Sequence, residues 1–399
     1  MLYEPLNKIF YKDNESYETI YRERFNSEFA HRYNFTIGGD QAFVGLNLEI
    51  LNLITSILQL DKRLLKVTNH LPPIALTQFT RKCVVDEIQL TNEIEGVHST
   101  RKEIRELIND ESVNKKRKRL YGLVQKYMML SNRQEIKLKT CQDIRTLYDE
   151  FILAEVKADD MSNIPDGDIF RKDIVEIVSP SQKIIHKGLF PEAKIITAMT
   201  SALDILHDNK LNTFVNIAVF HYMFGYIHPF YDGNGRMARF ISSYLLNQQL
   251  ESVIGFSLSY TIKNKIKKYY DIFKDANDYK SKGDLTPFVI GFLEFIEEVI
   301  ENLCVTIEGR AEQFKFYVGK IGKCADGNKS IRDILFVLVQ NALFDDEGIC
   351  ISELAQATEM GQSTVRAWLK KIPDDIMIIT QSGRMNVYRI NLDVMAQNK

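Results

Sequence analysis

The chain has few of the features that mark secreted, membrane-spanning or zinc-stabilised proteins. Its five cysteines are scattered, odd in number and contain no C-x-x-C pair, which argues against a disulfide framework and a structural zinc site. No run of about eighteen apolar residues occurs, and the first residues lack a basic segment followed by an apolar one. We therefore expect a soluble, cytoplasmic protein in a reducing compartment, with no membrane partner.

An excess of charge of either sign is also missing. The 51 basic and 53 acidic residues give a formal net charge of −2, so the whole molecule does not attract nucleic acid or anionic lipid, and any polyanion site must be local. The basic run KKRKR at 115–119 leads into an amphipathic stretch, and we interpret it as a solvated helix entrance. The length of 399 residues predicts two or three domains.

Hydrophobic spacing predicts a mainly α protein. Residues 41–160 have the three- and four-residue apolar spacing of helices, beginning with Ala42 to Leu60. The segment from Asn212 to Ile227 is apolar nearly all round, as in a helix at the centre of a bundle, and an amphipathic helix is predicted after it.

One segment inside this helical region has a different pattern. Within residues 171–191, DIVEIV and KIIHKGL are rich in β-branched residues and are joined by SPSQ, which predicts a β-hairpin at 174–188. Such a hairpin can accept a strand from another chain. A packed loop is the alternative, and this stretch alone does not decide between them.

The C-terminal part predicts a separate small domain. A long helix is expected after Thr286-Pro287 and a linker at 325–330; a helix, a helix-turn-helix and two strands around Ser382-Gly383 follow. This order is that of a winged helix. We predict four segments: a helical region at 1–120, a core at 121–300, a helical linker at 301–330 and a winged helix-turn-helix domain at 331–399.

Twelve residues, HPFYDGNGRMAR, concentrate groups that suit phosphate chemistry. Arg236 and Arg239 lie three apart on a helix that follows a Gly-Asn-Gly turn, so guanidinium and backbone N–H groups converge on one anion site. Asp232 would repel that anion unless a hard cation such as Mg²⁺ bridged them. His228 has a side chain suited to accept a proton from an attacking hydroxyl.

Each of these residues has an ordinary structural role when it is taken alone. A histidine before proline is usually a turn or core residue, a D-G-N-G string is usually a turn, and paired arginines usually face solvent. Their combination within twelve residues is what predicts transfer of a phosphorus-bound group from a nucleotide to an alcohol.

The same twelve residues match the signature of the Fic family, HPFx[DE]GNGRxxR, at every specified position, and the resemblance covers roughly residues 50–300. It implies a helical bundle with a β-hairpin flap and transfer of AMP from ATP to a Ser, Thr or Tyr hydroxyl of a protein. It also implies that His228 is the base and that Asp232 binds Mg²⁺ or Mn²⁺. The implied phosphate cradle consists of Gly233, Asn234, Gly235, Arg236 and Arg239.

Two further segments resemble Fic proteins. The hairpin at 174–188 is similar to the family's flap, which implies that a protein substrate docks there. KKYYDIFKDAN resembles the adenine-contacting stretch, which implies ATP contacts by Tyr270 and Asn277, with helix packing as the alternative.

LTNEIEG resembles the family's inhibitory motif [ST]xxxE[GN], with Thr91, Glu95 and Gly96 at its fixed positions on a helix near 86–96. A glutamate at the negative end of a helix is better explained by an external cation, and we expect Glu95 to pair with Arg239. The resemblance implies an autoinhibited adenylyltransferase. Family members with this glutamate also remove AMP, and the sequence does not decide which direction dominates.

The competing hypothesis is a DNA-binding regulator with a vestigial Fic core. Its predicted recognition helix offers Ser363, Thr364, Arg366, Lys370 and Lys371, but from Gly361 to Leu392 only five basic residues face two acidic ones. Winged helices also bind proteins, so DNA and protein partners both stay open. A homodimer is compatible with the sequence, which does not decide the oligomeric state.

Overall fold

The computed structural model describes residues 3–109, 119–178, 184–345, 347–382 and 385–397, which fold mainly into α-helices. The helices up to residue 250 are α1 (Leu6–Lys12), α2 (Asn14–Asn26), α3 (Leu48–Thr68), α4 (Pro73–Ile94), α5 (Arg101–Asn109), α6 (Tyr121–Ser131), α7 (Cys141–Phe151), α8 (Leu153–Asp159), α9 (Glu192–Leu206), α10 (Thr213–Ile227) and α11 (Asn234–Gln249). The later helices are α12 (Leu258–Asn264), α13 (Ile266–Asn277), α14 (Thr286–Cys324), α15 (Lys329–Phe344), α16 (Ile351–Ala357), α17 (Gln362–Leu369) and α18 (Leu392–Gln397). The strands are β1 (Ala30–Ile37), β2 (Asp40–Gly45), β3 (Glu176–Val178), β4 (Ile184–Lys187), β5 (Ile349–Cys350), β6 (Met377–Ser382) and β7 (Met385–Ile390).

The chain divides into two compact units. One contains Met1–Asp61 and Val84–Ile300, and the other contains Lys62–Cys83 and Glu301–Lys399. In this division residues 62–83 group with the C-terminal part of the chain, and the four predicted segments stay a prediction. Within that unit Phe79 packs edge-on against Phe344, and Arg81 forms an ion pair with Glu353.

The predicted helix from Ala42 is wrong at its first residues, which form strand β2. Strands β1 and β2 make an antiparallel hairpin whose turn is Gly38-Gly39, with both residues at positive φ. Such a Gly-Gly turn is a hairpin signal. Phe43 and Val44 are both fully buried, and Phe43 exchanges two backbone hydrogen bonds with Gly283 and Leu285. Tertiary pairing therefore overrides the helical spacing, and α3 begins only after Asn47, whose side chain accepts from the N–H of Ile50 at 3.0 Å.

The central helices of the larger unit are α10 and α11. Helix α10 is buried on nearly every side, as its apolar sequence predicts, and it packs against α9 and α11. Helix α11 is also buried almost throughout rather than along one stripe. It therefore carries polar side chains inside the unit, including Ser242, which contacts Nδ1 of His221 at 2.8 Å.

The predicted hairpin before α9 is present. Strands β3 and β4 pair antiparallel, with Glu176 opposite Lys187 and Ile177 opposite His186. Its predicted turn, SPSQ, lies outside the described residues, as do Lys115 to Lys118 of the basic run.

The C-terminal elements follow the predicted order. The linker is short, because α14 extends to Cys324 and Asn328 caps α15 by accepting from the N–H of Ile331 at 3.1 Å. Helices α15, α16 and α17 precede strands β6 and β7, and the two-residue β5 adds a third strand in the order β5-β7-β6. None of the described helices combines the length and apolar character that a bilayer crossing requires.

Candidate active site

The motif from His228 to Arg239 forms a loop between two buried helices. His228 follows α10 in the left-handed conformation, with φ 53° and ψ 63°, and α11 begins at Asn234. Asn234 closes the loop, because its side-chain amide donates to the carbonyl of Phe230 at 2.8 Å and its Oδ1 accepts from the N–H of Phe230 at 3.0 Å. Its side chain therefore holds the loop, and its predicted contact with a phosphate oxygen stays a prediction.

The first turn of α11 is a candidate anion site. Gly233 precedes it at φ +83°, a conformation that favours glycine, and no side chain caps the helix. Among the described residues none accepts a hydrogen bond from the N–H groups of Asn234, Gly235 and Arg236. Three backbone donors at the positive end of a buried helix are well suited to phosphate oxygens.

His228 is placed as a proton acceptor. Burial lowers the pKa of its imidazole to about 4; the Gly225 carbonyl, 3.4 Å from Nδ1, acts against this effect, and His186 and Arg171 reinforce it. The ring is therefore neutral at physiological pH. When Nδ1–H donates to Gly225, the lone pair is on Nε2 and is free to take a proton.

Arg171 joins this loop to the hairpin and was not predicted. Its buried guanidinium donates to the carbonyl of His228 and to that of Leu189, both at 2.9 Å, and also to the carbonyl of Asp173. The carbonyls of Asp173 and Leu189 flank the hairpin on its two sides, and the third belongs to the residue that carries the candidate base. Burial lowers the pKa of Arg171, and among the described residues no carboxylate pairs with it.

Arg239 is paired with the end of α4, as expected from the sequence. Its Nη2 lies 2.8 Å from Oε1 of Glu95, and its Nε and Nη2 donate to the hydroxyl and carbonyl oxygens of Thr91, each at 2.9 Å. Burial opposes the charge on Arg239, but Glu95, together with Tyr269 and Tyr270, outweighs this effect, so the pKa of the guanidinium is raised. Gly96 follows at φ +75°, the usual left-handed end of a helix.

Glu95 also lies against this candidate anion site. A Cβ placed on Gly235 would overlap with the Glu95 carboxylate, so the glutamate lies directly against the first turn of α11. Its side chain is 27% exposed, whereas that of Arg239 is 1% exposed. The carboxylate is thus the accessible member of the pair.

Glu87 fixes the same face of α4 two turns earlier. It is fully buried and accepts from the N–H and hydroxyl of Ser259 at 2.8 and 2.6 Å. Burial raises its pKa to about 7, against the opposing effects of Ser259 and Arg239. Glu87, Thr91 and Glu95 are spaced four residues apart and form one stripe toward the site.

Arg236 lies between two carboxylates. Its guanidinium is fully buried, with Nη1 3.1 Å from Oε2 of Glu155 and Nη2 3.3 Å from Oδ2 of Asp232. Glu155 is 1% exposed and Asp232 is 36% exposed. In this conformation the side chain of Arg236 has no solvent-facing atoms, so its predicted contact with phosphate stays a prediction. Glu155 was missed because nothing near it in the sequence indicates this partner.

The two predicted adenine-contacting residues lie on α13. Tyr270 is 52% exposed, and burial with the charge of Glu95 raises its pKa. Oδ1 of Asn277 accepts from the hydroxyl of Tyr222 at 2.7 Å. Their role toward a nucleotide stays a prediction.

Comparison with known proteins gives a family for the segment that carries the site. Residues 140–246 match the model of the Fic/DOC family. The protein adenylyltransferase Fic of Drosophila virilis is 33% identical over 95 residues, which are 24% of this chain and 18% of that protein. The protein of the same name from Drosophila melanogaster has the same identity and coverage. The match thus spans less than a fifth of the length of these relatives.

A solved structure extends the likeness in fold. The crystal structure of a Fic family protein from Desulfovibrio desulfuricans G20 has a TM-score of 0.52 to this chain at 20% sequence identity. The alignment covers 87% of this chain and 97% of that one. At this identity the likeness concerns the fold alone.

We predict that the imidazole of His228 titrates at about pH 4 in the nucleotide-free protein. Because this pKa is below the 6.5 of an unperturbed histidine, the unfolded chain binds the proton first, and stability is lost as pH falls from 6.5 toward 4. Histidine ring signals followed by NMR against pH measure this, and His228→Gln identifies the resonance by its disappearance. A midpoint near 6.5 for this signal would contradict a desolvated base.

Proposed function

We propose that this chain, whose residues 140–246 form a Fic domain, transfers AMP from ATP to a hydroxyl group of a protein. One observation carries the proposal: the buried His228 lies in the loop that leads to the start of α11, where three N–H groups have no hydrogen-bond acceptor among the described residues. A base beside an anion cradle suits attack of an alcohol on a nucleotide phosphate.

His228 acts as the general base in the proposed reaction. The attacking hydroxyl loses its proton to Nε2, its oxygen bonds to the α-phosphorus, and the bond from that phosphorus to the bridging oxygen breaks, so that pyrophosphate leaves. The negative charge of the bound triphosphate raises the pKa of a nearby imidazole and so improves its proton affinity.

The anion cradle is formed by the backbone of Asn234, Gly235 and Arg236 and by the guanidinium of Arg239. The helix N-terminus adds its partial positive charge. Asp232 suits Mg²⁺, because it is half-exposed and two carboxylates share one guanidinium, which leaves one negative charge uncompensated. Asp232 would hold the cation, which would neutralise part of the phosphate charge.

The hairpin of β3 and β4 holds the target segment in this proposal. A two-stranded sheet leaves an unpaired edge, to which an extended chain adds through backbone hydrogen bonds. Arg171 supports this role, because it bonds to both flanks of the hairpin and to the carbonyl of His228. One buried side chain thereby links the hairpin, where the target segment would dock, to the loop that carries the base. Tyr270 and Asn277 are the proposed adenine contacts.

Glu95 keeps the site inhibited at rest. Its carboxylate pairs with the guanidinium of Arg239 and fills the space beside Gly235. In this proposal the terminal phosphate of ATP needs both the guanidinium and that space in its productive pose. Because Glu95 is the accessible partner, its departure exposes a cation that is already in place.

The decisive experiment compares ATP labelled at the α- or the γ-phosphorus, with the Glu95→Gly protein and a cell lysate. Label from the α position supports AMP transfer, and label from the γ position identifies phosphorylation.

We expect His228→Ala to abolish α-labelling, since a general base contributes roughly 10² to 10⁴ in rate, while ATP affinity is largely kept. His207→Ala is the control, because His207 also follows a helix but lies outside the site. No label from either position would refute the proposal.

We expect Glu95→Gly to raise AMP transfer, including self-modification, by about tenfold or more, equivalent to roughly 1.4 kcal/mol. Arg239→Ala added to this change should cancel the gain, because the released cation is then missing. Glu95→Gly alone should also abolish any removal of AMP, because that reaction needs a carboxylate near the attacking water.

Glu93→Gly is the matched control for Glu95→Gly, since it weakens the same end of α4 but its carboxylate pairs with Lys263 instead. Rates are measured as initial velocities of α-label incorporation. A Glu95→Gly rate within about twofold of that of Glu93→Gly would show that Glu95 is only a helix end.

DNA binding by the C-terminal domain is a second candidate function. It is favoured by α17, which buries only Val365 and Leu369 and leaves Arg366 and the following Lys370 exposed. An exposed basic helix after a helix-turn is suited to contact a DNA groove.

If α17 binds DNA, the logarithm of the affinity for duplex DNA should fall linearly with the logarithm of salt concentration, with a slope of about 0.9 per phosphate contact. Arg366→Gln combined with Lys370→Gln should lower that slope by about two units, and Lys329→Gln, on α15, should leave it unchanged. Fluorescence anisotropy at four salt concentrations measures the slopes. Undetectable or salt-independent binding would remove this function and favour a protein partner.

A further inference from the structure

A stripe of α7 and α8 faces the motif loop. The hydroxyl of Tyr148 donates to the carbonyl of Asp232 at 3.3 Å. The side chain of Ile152 fills the space where a Cβ of Gly233 would be. Glu155 follows and reaches Arg236. The residues at positions 148, 152 and 155 therefore contact successive residues of the motif, in the same order along the chain. Glu155 is the one charged residue of these three.

The charge of Glu155 is balanced chiefly by one group. Its carboxylate is 1% exposed, and among the described residues neither oxygen has a hydrogen-bond donor in good alignment, although Nη1 of Arg236 is 3.1 Å away. Burial raises the pKa of Glu155, and Arg236 is the strongest influence in the opposite direction; the smaller effects of Arg119 and Asp159 oppose each other. Arg236 is thus the cation that compensates for Glu155.

The same guanidinium also contacts Asp232, four residues earlier. Without Glu155, Arg236 and Asp232 would be a neutral pair, and a carboxylate whose charge is neutralised attracts a divalent cation poorly. With Glu155 present, one positive and two negative charges leave a net charge of −1. Asp232 is the only member of the three with solvent-exposed atoms, so the excess charge is available at Asp232.

We propose that Glu155 is a positioning residue: it holds the guanidinium of Arg236 in the interior and so leaves the carboxylate of Asp232 available to a divalent cation bound with the nucleotide. This inference rests on the proposed nucleotide site but concerns its cation dependence. Glu155 does not touch the substrate and acts through Arg236. The arrangement also explains why Arg236 is fully buried while Asp232, its ion-pair partner, is not.

The test measures the affinity of ATP by calorimetry at a series of MgCl₂ concentrations and in EDTA. We expect Glu155→Gln to raise the MgCl₂ concentration for half-maximal enhancement of ATP binding by about tenfold, while the affinity in EDTA is kept or improved. Glu150→Gln is the matched control; it removes a nearby glutamate of α7 that pairs with Lys126 instead. An unchanged magnesium midpoint in Glu155→Gln would overturn the inference.

A purely structural role for Glu155 predicts something else, namely a lower melting temperature and equal loss of ATP affinity with and without magnesium. The double variant Glu155→Gln with Arg236→Met separates the two, because it removes both members of the buried pair and restores the net charge of −1 on Asp232. We expect its magnesium midpoint to return to within about twofold of that of the wild type.

Replacement of both members of a buried pair is often tolerated, so the double variant also serves if the single one does not fold. A midpoint in the double variant that stays about tenfold high would overturn the inference. Wild-type protein that does not bind ATP at any magnesium concentration would instead refute the proposed function. Wild-type protein that binds ATP with no magnesium dependence would refute the role of Asp232 and this inference with it.

Discussion

Two buried positive charges, three residues apart on α11, constrain the whole site. A guanidinium without water needs a carboxylate or several carbonyl oxygens, because an unpaired buried charge is strongly destabilising. Arg236 receives Glu155 from α8, and Arg239 receives Glu95 and Thr91 from the end of α4. Two helices far apart in sequence must therefore pack against one helix N-terminus, and in doing so they define the walls around three free N–H groups.

The two pairs differ in a way that suits different tasks. Glu155 is as buried as its partner, so this pair stays closed unless α8 moves. Glu95 is 27% exposed and lies just past the last residue of α4, where a helix end frays at low cost. Arg171, a third buried arginine, bonds to backbone carbonyls and links the hairpin to the loop that carries His228. The site thus combines two fixed arginine contacts with one releasable contact.

The sequence could predict what is local and what a family motif marks. The buried α10, the hairpin of β3 and β4 and the long α14 follow from apolar spacing, β-branched runs and a capping pattern, and the distant pairing of Glu95 with Arg239 follows from a motif resemblance. It could not predict Glu155 or Arg171, since each meets its partner through tertiary packing and no motif marks either residue. The hairpin of β1 and β2 had a local signal in Gly38-Gly39, but the helical spacing from Ala42 was given more weight. The two hydrogen bonds between the side chain of Asn234 and the backbone of Phe230 had no signal in the sequence either.

In the proposed function, the position of Glu95 against Gly235 would make its carboxylate a tethered competitor of any phosphate group that binds there. A competitor on the same chain has an effective concentration fixed by the length and stiffness of its tether, and dilution of the protein does not lower it. The ligand concentration at which the site is half-occupied is then set by the free energy with which the end of α4 places Glu95 against the site. Occupancy of such a site follows the nucleotide concentration of its surroundings and is insensitive to the number of copies of the protein.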